Sequence, residues 1–343
     1  MSFKRFDTED IAISAESVVA PLWSTDSTTL TAFFTSSAQV ASNAGNFFFT
    51  IFETDINLTA NAQTARPQMA LAFGSKTGIG SGLYNSAVPE KSPTSTIYGQ
   101  YRNLVFGDEE TDFTFDGVTS NSIYAISLDR ARYKEKLLPG TFELKLSSGG
   151  NSIHLTDNSN TLTTVSYVDA GRVYDVISGS AGVAASPGSA HLDNGNSLTA
   201  GSYGKFLPDV GVIILNSTAL AQTISNGGLG LAIDPATNAR NIRNIYDSIK
   251  TGQSFKLQSE ETISSNFIFV RVRNSEFNYS TNPSNITGSG ELRHDVMINT
   301  PQAYITTVGL YNDNNDLLGV AKLSRPLLKD FTSEALIRIK LDY

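Results

Sequence analysis

The densest group of carboxylates in the chain is the segment 108–112, which reads DEETD. Two carboxylates held about 5 to 10 Å apart form the catalytic pair of most glycoside hydrolases, so this segment is the first place to look for chemistry. Acidic clusters between strands are more often solvated turns, and the single tryptophan, Trp23, offers little aromatic surface to a sugar. We therefore expect no catalytic residue here and keep a glycan hydrolase only as an alternative.

Residues that could bind a metal are few and poorly spaced. The histidines His154, His191 and His294 lie in different regions, and none has a second histidine at the spacing that puts two ligands on one helix face. Oxygen ligands for calcium are bunched at 108–116 and 313–316, but neither segment has the spacing of a calcium-binding loop. The sequence therefore predicts no metal site and no cofactor.

Motifs of nucleotide-binding and nucleophilic enzymes are also missing from the sequence. The glycine-rich segment 78–82 resembles a phosphate-binding loop only in its glycine count, since we expect neither a strand before it nor a helix after it. No GxSxG motif is present. The chain has no cysteine, which excludes thiol catalysis, Cys-ligated zinc, iron–sulfur clusters and disulfides.

The charge of the chain argues against nucleic acid as a partner. The formal net charge is −8, the isoelectric point is near 5.0, and the 25 Lys and Arg residues are scattered. The polar start of the chain lacks the apolar run of a signal peptide, and no apolar stretch of 18 residues follows it. We expect a protein that is made in a cytoplasm, stays soluble and is not inserted into a membrane.

The elements that must position any functional side chain are expected to be mainly strands. The chain combines 27 Gly, 19 Phe and 13 Tyr with only 17% charged residues. Aromatic and β-branched side chains suit a pleated, half-buried surface, whereas glycine suits the turns between strands. The predicted fold class is all-β or β-dominated, with sandwich-like or jelly-roll-like sheets, one or two short helices and long loops.

The order of patterned and unpatterned segments predicts three regions. Residues 1–140 form an N-terminal β region with an extended arm at about 74–108, a stretch too long for an ordinary connection. Residues 141–200 form an inserted β module that ends in a flexible Gly- and Ser-rich loop. Residues 201–343 form a C-terminal β region that completes the main domain.

Two local signals in the C-terminal region are especially clear. The nearly continuous apolar run from Val210 to Leu215 predicts a strand buried on both faces. Between Asp234 and Lys250, Ile242, Ile245 and Ile249 fall at spacings of three and four, with a proline near the start. This pattern predicts one short amphipathic helix.

The last eighty residues carry the clearest strand patterns. Along 267–273, Ile268, Val270 and Val272 alternate with two phenylalanines and two arginines, and along 337–343 apolar residues alternate with charged ones. Both patterns are typical of strands. Segments 304–311 and 317–323 flank the sequence NDNND at 312–316, whose residues tolerate left-handed backbone conformations. A β-hairpin is the economical interpretation.

Particular segments of the chain resemble a known family. They are 271–284 (RVRNSEFNYSTNPS) and 305–327 (ITTVGLYNDNNDLLGVAKLSRPL), with further similarity in 1–10, 98–107 and 203–209. The chain resembles a family of structural proteins from contractile-tailed phages that infect marine cyanobacteria and their relatives. The similarity spans most of the chain.

The resemblance implies a role in assembly and brings no catalytic residues. It implies a non-enzymatic virion structural protein, most simply a tail or baseplate subunit that bridges neighbouring subunits. Its expected location is the virion, and its expected partners are other virion structural proteins of the tail or baseplate and copies of itself. Two alternatives remain open: a tail module that binds a host receptor such as a surface glycan, and a head or neck structural protein.

Aromatic side chains are the expected anchors of such an assembly, because interface energy concentrates in buried aromatic residues. Several lie in or near the arm at 74–108, and another belongs to a turn at 278–283 that either presents it outward or ends a strand. Ordinary packing within the protein's own core is an equally good explanation for each. The candidate interface anchors are Trp23, Tyr84, Tyr98, Tyr101, Phe106 and Tyr279.

Overall fold

The computed structural model describes residues 4–37, 47–54, 64–80, 92–185 and 201–342. Strands take up 45% of the structure and helices 16%, with large antiparallel sheets. The β-dominated fold expected from the composition is therefore confirmed.

The chain divides into two compact units. The central unit is Val18–Glu261, and the terminal unit combines Met1–Ser17 with Thr262–Tyr343. The structure thus places its division elsewhere than the expected boundaries at 140 and 200. The reason is that the strands of 141–185 hydrogen-bond on both sides into one large sheet of the central unit, so they do not form a separate module. Residues 186–200 lie outside the described residues.

Twenty strands and four α-helices occur in the described residues, so the expectation of one or two helices was too low. The strands are β1 (Ile11–Pro21), β2 (Thr29–Leu30), β3 (Phe48–Thr54), β4 (Ala65–Ser75), β5 (Thr114–Phe115), β6 (Val118–Thr119), β7 (Ser122–Leu128), β8 (Lys136–Leu137), β9 (Glu143–Ser148), β10 (Asn151–Asp157), β11 (Ser166–Val168), β12 (Gly171–Ser180), β13 (Val183–Ala184), β14 (Gly204–Leu207), β15 (Val212–Asn216), β16 (Phe255–Lys256), β17 (Gln258–Val272), β18 (Ala303–Tyr311), β19 (Leu317–Lys329) and β20 (Ala335–Asp342). The helices are α1 (Pro93–Phe106), α2 (Ser217–Ala221), α3 (Asn238–Gly252) and α4 (Val296–Asn299).

The large sheet of the central unit is antiparallel and curls into a half barrel. Its strand order is β2-β16-β9-β10-β12-β14-β15-β7-β4-β3, and the short strands β11 and β13 both pair with β12. Strand β15 lies in the middle of this order, and all five of its residues are buried. The prediction of a strand covered on both faces from the apolar run at 210–215 is confirmed.

The two faces of the sheet bury separate apolar clusters because successive side chains of a strand point to opposite faces. In β4, Leu71 and Phe73 join the larger cluster, which also contains Ile245 of α3. Ala72, between them, joins the second cluster with Tyr98 of α1. One helix therefore covers each face of this part of the sheet.

Helix α1 lies where an extended arm was expected, so that prediction is wrong for residues 93–106. The helix has clear end signals: Ser92 and Ser95 form a reciprocal capping box, Pro93 opens the first turn, and Gly107 ends the helix with φ +69°. Its backbone approaches β4 so closely that a Cβ at Gly74 would lie 2.8 Å from the backbone nitrogen of Tyr98. The serines and Gly107 therefore cap a helix, and Gly74 allows close packing against it; these residues do not indicate an extended arm.

Helix α3 confirms the helix predicted between Asp234 and Lys250. The three isoleucines that carried the prediction, Ile242, Ile245 and Ile249, are completely buried. No strand was predicted before the glycine-rich segment 78–82. This prediction is wrong, because β4 ends at Ser75, just before that segment. Residues 81–91 lie outside the described residues.

The terminal unit is a small sandwich-like arrangement of two layers. Strand β17 pairs with β20 and with β1, whereas β18 and β19 form the predicted hairpin. Ile337 and Ile339 of β20 pack against Leu310 of the hairpin, with partly buried side chains around them. The strands predicted at 267–273 and 337–343, and the hairpin around 312–316, are all present.

Candidate assembly surface

The terminal unit exposes far more apolar side chains than it buries. Its completely or nearly completely buried apolar side chains are Val272, Leu310, Ile337 and Ile339. Contiguous exposed apolar surface on a folded protein marks an interaction site, because water makes such surface unfavourable. Seventeen large apolar side chains of the described part of this unit are exposed: Phe6, Ile11, Ile13, Phe277, Tyr279, Val296, Ile298, Tyr304, Tyr311, Leu317, Leu318, Val320, Leu327, Leu328, Phe331, Leu336 and Leu341.

The side of the β18–β19 hairpin that faces solvent is the most regular part of this surface, and we call it the outer hairpin face. Leu318 is 69% exposed and Val320 is 59% exposed. Val320 lies opposite Gly309 in the strand register. A Cβ at Gly309 would lie 2.8 Å from Cε2 of Tyr311, so the aromatic ring lies over the glycine. The centre of the face is therefore apolar and formed by Val320 and the ring of Tyr311.

Charged side chains of opposite sign stand at the two ends of the outer hairpin face. The turn carries Asp313 and Asp316, whereas Lys322 and Arg325 follow toward the other end of β19. Within the described part of the chain, none of these four side chains forms an ion pair. The turn itself is fixed by Asn312, whose side-chain oxygen accepts hydrogen bonds from two backbone N–H groups further along the turn.

A second exposed face of the terminal unit mixes aromatic and basic side chains. Phe267 of β17 lies opposite Lys340 of β20. The guanidinium carbon of Arg338 is 5.6 Å from the centre of the Phe267 ring, and Nζ of Lys340 is 5.9 Å from it. These distances are typical of cation–π contacts, which cover the ring on its exposed side.

A fixed loop at the end of β17 presents two further aromatic side chains. The buried ammonium of Lys329 donates hydrogen bonds to the carbonyl oxygen of Asn274 and to Oδ1 of Asn278, at 3.1 and 2.6 Å. Between them, Phe277 has φ +55°, a conformation that costs free energy in a non-glycine residue. Tyr279 is 54% exposed, so the structure leaves it accessible as a candidate anchor.

Two of the other candidate anchors are core residues. Trp23 is 2% exposed, its indole N–H donates to the carbonyl oxygen of Thr28, and its ring packs on Phe255. Tyr98 is 1% exposed. For both side chains the alternative of core packing applies, because a buried ring cannot also anchor a partner.

The remaining candidates of the expected arm belong to helix α1 or lie outside the described residues. Tyr101 is partly buried, and its hydroxyl lies 2.7 Å from Oγ of Ser127; burial raises the pKa of this tyrosine. Phe106 is also partly buried and packs on Phe113. Tyr84 lies in 81–91, outside the described residues.

The acidic cluster at 108–112 is a hydrogen-bonded turn. The carboxylate of Asp108 accepts bonds from the hydroxyl and the backbone N–H of Thr111 and from the backbone N–H of Glu110, which together lower its pKa. Asp112 forms an ion pair with Lys76 at 2.6 Å and approaches Arg102 at 3.9 Å. Asp108 is therefore held in a turn, and Asp112 is paired with basic side chains.

Other sites for chemistry are equally weak in the described residues. No group of three or more His, Asp or Glu side chains there is arranged to hold a metal ion. A surface depression of about 480 Å³ is lined by Phe47, Ser92, Pro93, Thr96 and Ile97, none of which is titratable. Among the described helices, none combines the length and the apolar character needed to cross a membrane.

The outer hairpin face was missed at the level of sequence, although a signal for it exists. Strand β19 carries apolar residues on both of its faces, with Leu318 and Val320 on one and Ala321 and Leu323 on the other. A strand that is apolar on both faces needs a covering layer on both. The hairpin prediction rested on two apolar runs around the turn at 312–316, and it did not consider what would cover each face of β19.

Comparison of the chain with protein-family models, with curated proteins and with solved structures finds no match. No site residue can therefore be transferred from a relative.

Proposed function

We propose that this chain is a non-enzymatic structural subunit of a virion, which bridges neighbouring subunits in the tail or baseplate of a contractile-tailed phage. The observation that supports an assembly role is the surface of the terminal unit, where, among the described residues 4–17 and 262–342, seventeen large apolar side chains are exposed and four are buried. Covering such a surface with another chain removes it from water and stabilises the complex.

The phage assignment comes from the family resemblance, and the two segments that carry it lie within this same unit. Segment 271–284 includes the fixed loop with Phe277 and Tyr279, and segment 305–327 forms most of the β18–β19 hairpin. The features by which the chain resembles phage structural proteins therefore coincide with its exposed apolar surface. This coincidence favours a contact role for the terminal unit within the particle.

The non-enzymatic part of the proposal is supported by how the acidic and aromatic residues are used. The carboxylates at 108–112 stabilise a turn and bind basic side chains. Trp23 and Tyr98 are enclosed in the core. Both groups have structural roles that account for their presence without a substrate.

Immunogold labelling of intact virions, combined with lysine cross-linking and mass spectrometry of the same particles, tests the proposal. The chain offers matched reporters: Lys322 and Lys340 are exposed in the terminal unit, and Lys134 is exposed in the central unit. We expect label at the tail end, with cross-links from Lys340 to other tail proteins, cross-links from Lys322 to any chain that covers the hairpin, and few from Lys134.

Other labelling patterns would replace the proposal with a named alternative. Label at fibre tips with cross-links only between copies of this chain would favour a host-receptor module. Label on the head or neck would favour a structural protein of that region. Purified particles that lack the chain altogether would overturn the virion assignment.

A further inference from the structure

We infer that the outer hairpin face binds the same face of a second copy of this chain, around a two-fold axis that passes beside Val320. This inference rests on the proposed function, since it names the partner that covers one part of the apolar surface. A two-fold contact uses the same surface patch on both subunits, so the patch must complement itself in both shape and charge. The hairpin meets both requirements.

The charge balance of the region permits two copies to meet. Residues 262–343 contain eight Lys or Arg and eight Asp or Glu, so the whole formal charge of −8 lies in the remainder of the chain. A net charge of this size keeps copies apart through repulsion wherever it is concentrated. Two copies can therefore approach each other through residues 262–343 without repulsion between net negative charges.

The charges at the ends of the outer hairpin face are complementary under two-fold symmetry. Strands rise about 3.3 Å per residue, so Asp316 lies about 13 Å from Val320 on one side. On the other side, Leu327 pairs with Ile305, only four residues from Gly309, so Arg325 lies within about 13 Å of Val320 along the hairpin. When two such hairpins pack in opposite directions about Val320, the acidic turn of each copy meets the basic end of the other. Each unpaired charge then gains a partner of opposite sign at the rim of an apolar contact.

The shape of the hairpin favours contact through its face rather than its edge. Residues Thr307 and Ile305 of β18 pair with Lys322 and Leu327 of β19, so β19 bulges by several residues in between. Pro326 lies in this bulge and has no backbone N–H to offer to a further strand. The apolar centre at Val320 and Tyr311, in contrast, can pack against another sheet face at the usual distance of about 10 Å.

The absence of cysteine from the natural chain provides a direct test of the axis. A single Val320→Cys substitution places one thiol of each copy beside the proposed axis, facing the other across the gap of about 10 Å between the packed sheets. Because this gap is too wide for a direct disulfide, we expect a short bis-maleimide reagent to link two purified full chains into a covalent dimer. The matched control is Leu336→Cys, which is also exposed in the terminal unit but lies on β20, and it should remain monomeric.

A charge exchange tests the orientation, measured by analytical ultracentrifugation. Asp316→Arg and Arg325→Asp should each raise the dissociation constant of the dimer about tenfold, and the double variant should return it to the native value. All positions are exposed, so circular dichroism should be unchanged. A full chain that stays monomeric, or a dimer that neither Val320→Lys nor the charge variants weaken, would overturn the inference. The proposed function would survive that result, because virion labelling tests it independently.

Discussion

The ammonium of Lys329 lies 2.6 Å from Oδ1 of Asn278, and both residues are almost completely buried. Two further acceptors, the carbonyl oxygens of Asn274 and Asp330, complete its hydrogen bonding at 3.1 and 2.7 Å. A buried charge is tolerated when its donors are matched by oriented acceptors. This lysine therefore connects the end of β19 to the loop that presents Phe277 and Tyr279.

Replacing Lys329 with methionine should lower the free energy of unfolding by about 3 kcal/mol, because the buried Oδ1 of Asn278 and two partly buried carbonyl oxygens lose a charged donor. Chemical denaturation of the full chain measures this change. Lys322→Met is the matched control on the same strand, and its exposed side chain should be replaceable without loss of stability. Equal stability of the two variants would contradict a stabilising role for the hydrogen bonds of the buried Lys329 ammonium.

Removing the hydroxyl of Tyr98 tests its assignment to the core. This hydroxyl donates to the carbonyl oxygen of Ser120 and accepts from the backbone N–H of Phe113, both at 3.2 Å. Tyr98→Phe leaves the buried N–H without an acceptor, so we expect a loss of about 1 to 3 kcal/mol in thermal or chemical unfolding. The control Tyr304→Phe, on the exposed hairpin, should be neutral. Loss of assembly without loss of stability would instead identify Tyr98 as an anchor.

The ion pair between Arg172 and Asp209 should make stability depend on pH in the acid range. Burial raises the pKa of Asp209, but the hydrogen bonds and charge of Arg172 outweigh burial and leave the pKa below its usual value. A carboxyl with a lowered pKa stabilises the fold above its unfolded-state pKa of about 3.9, and this contribution is lost as the pH falls below that value. The free energy of unfolding of Asp209→Asn, measured by chemical denaturation, should therefore depend less on pH in the acid range than that of the natural chain. The exposed control Asp313→Asn should keep the natural pH dependence.

Glu53 should show the opposite dependence. Burial raises its pKa, and hydrogen bonds from Ser24 and Thr25 offset only part of that effect. A carboxyl whose folded-state pKa is raised lowers the stability of the fold as the pH rises above its unfolded-state pKa of about 4.3. The stability of Glu53→Gln relative to the natural chain should therefore increase as the pH rises above about 4. A difference that stays constant over this range would refute the assignment, and Glu334→Gln provides an exposed comparison.

Local periodicity was sufficient to predict several elements correctly. Helix α3 follows from the spacing of Ile242, Ile245 and Ile249, and the β18–β19 hairpin follows from two apolar runs around 312–316. These elements have one face toward a core, so burial imposes the period of the element on the sequence. Helix α1 escaped prediction because its weak apolar pattern is interrupted by glycine and serine, and only its caps at Ser92 and Gly107 mark it.

The sequence by itself determined the β-dominated class, the absence of thiol chemistry and the approximate places of the clearest strands and the isoleucine-faced helix, because composition and periodicity act locally. Only the tertiary structure decided which aromatic side chains are buried, since Trp23 and Tyr98 are enclosed by elements distant in the chain, whereas Tyr279 remains exposed. It also decided that the chain ends form a unit of their own, with an uncovered apolar hairpin. Burial depends on contacts between distant segments, and no local pattern encodes those contacts.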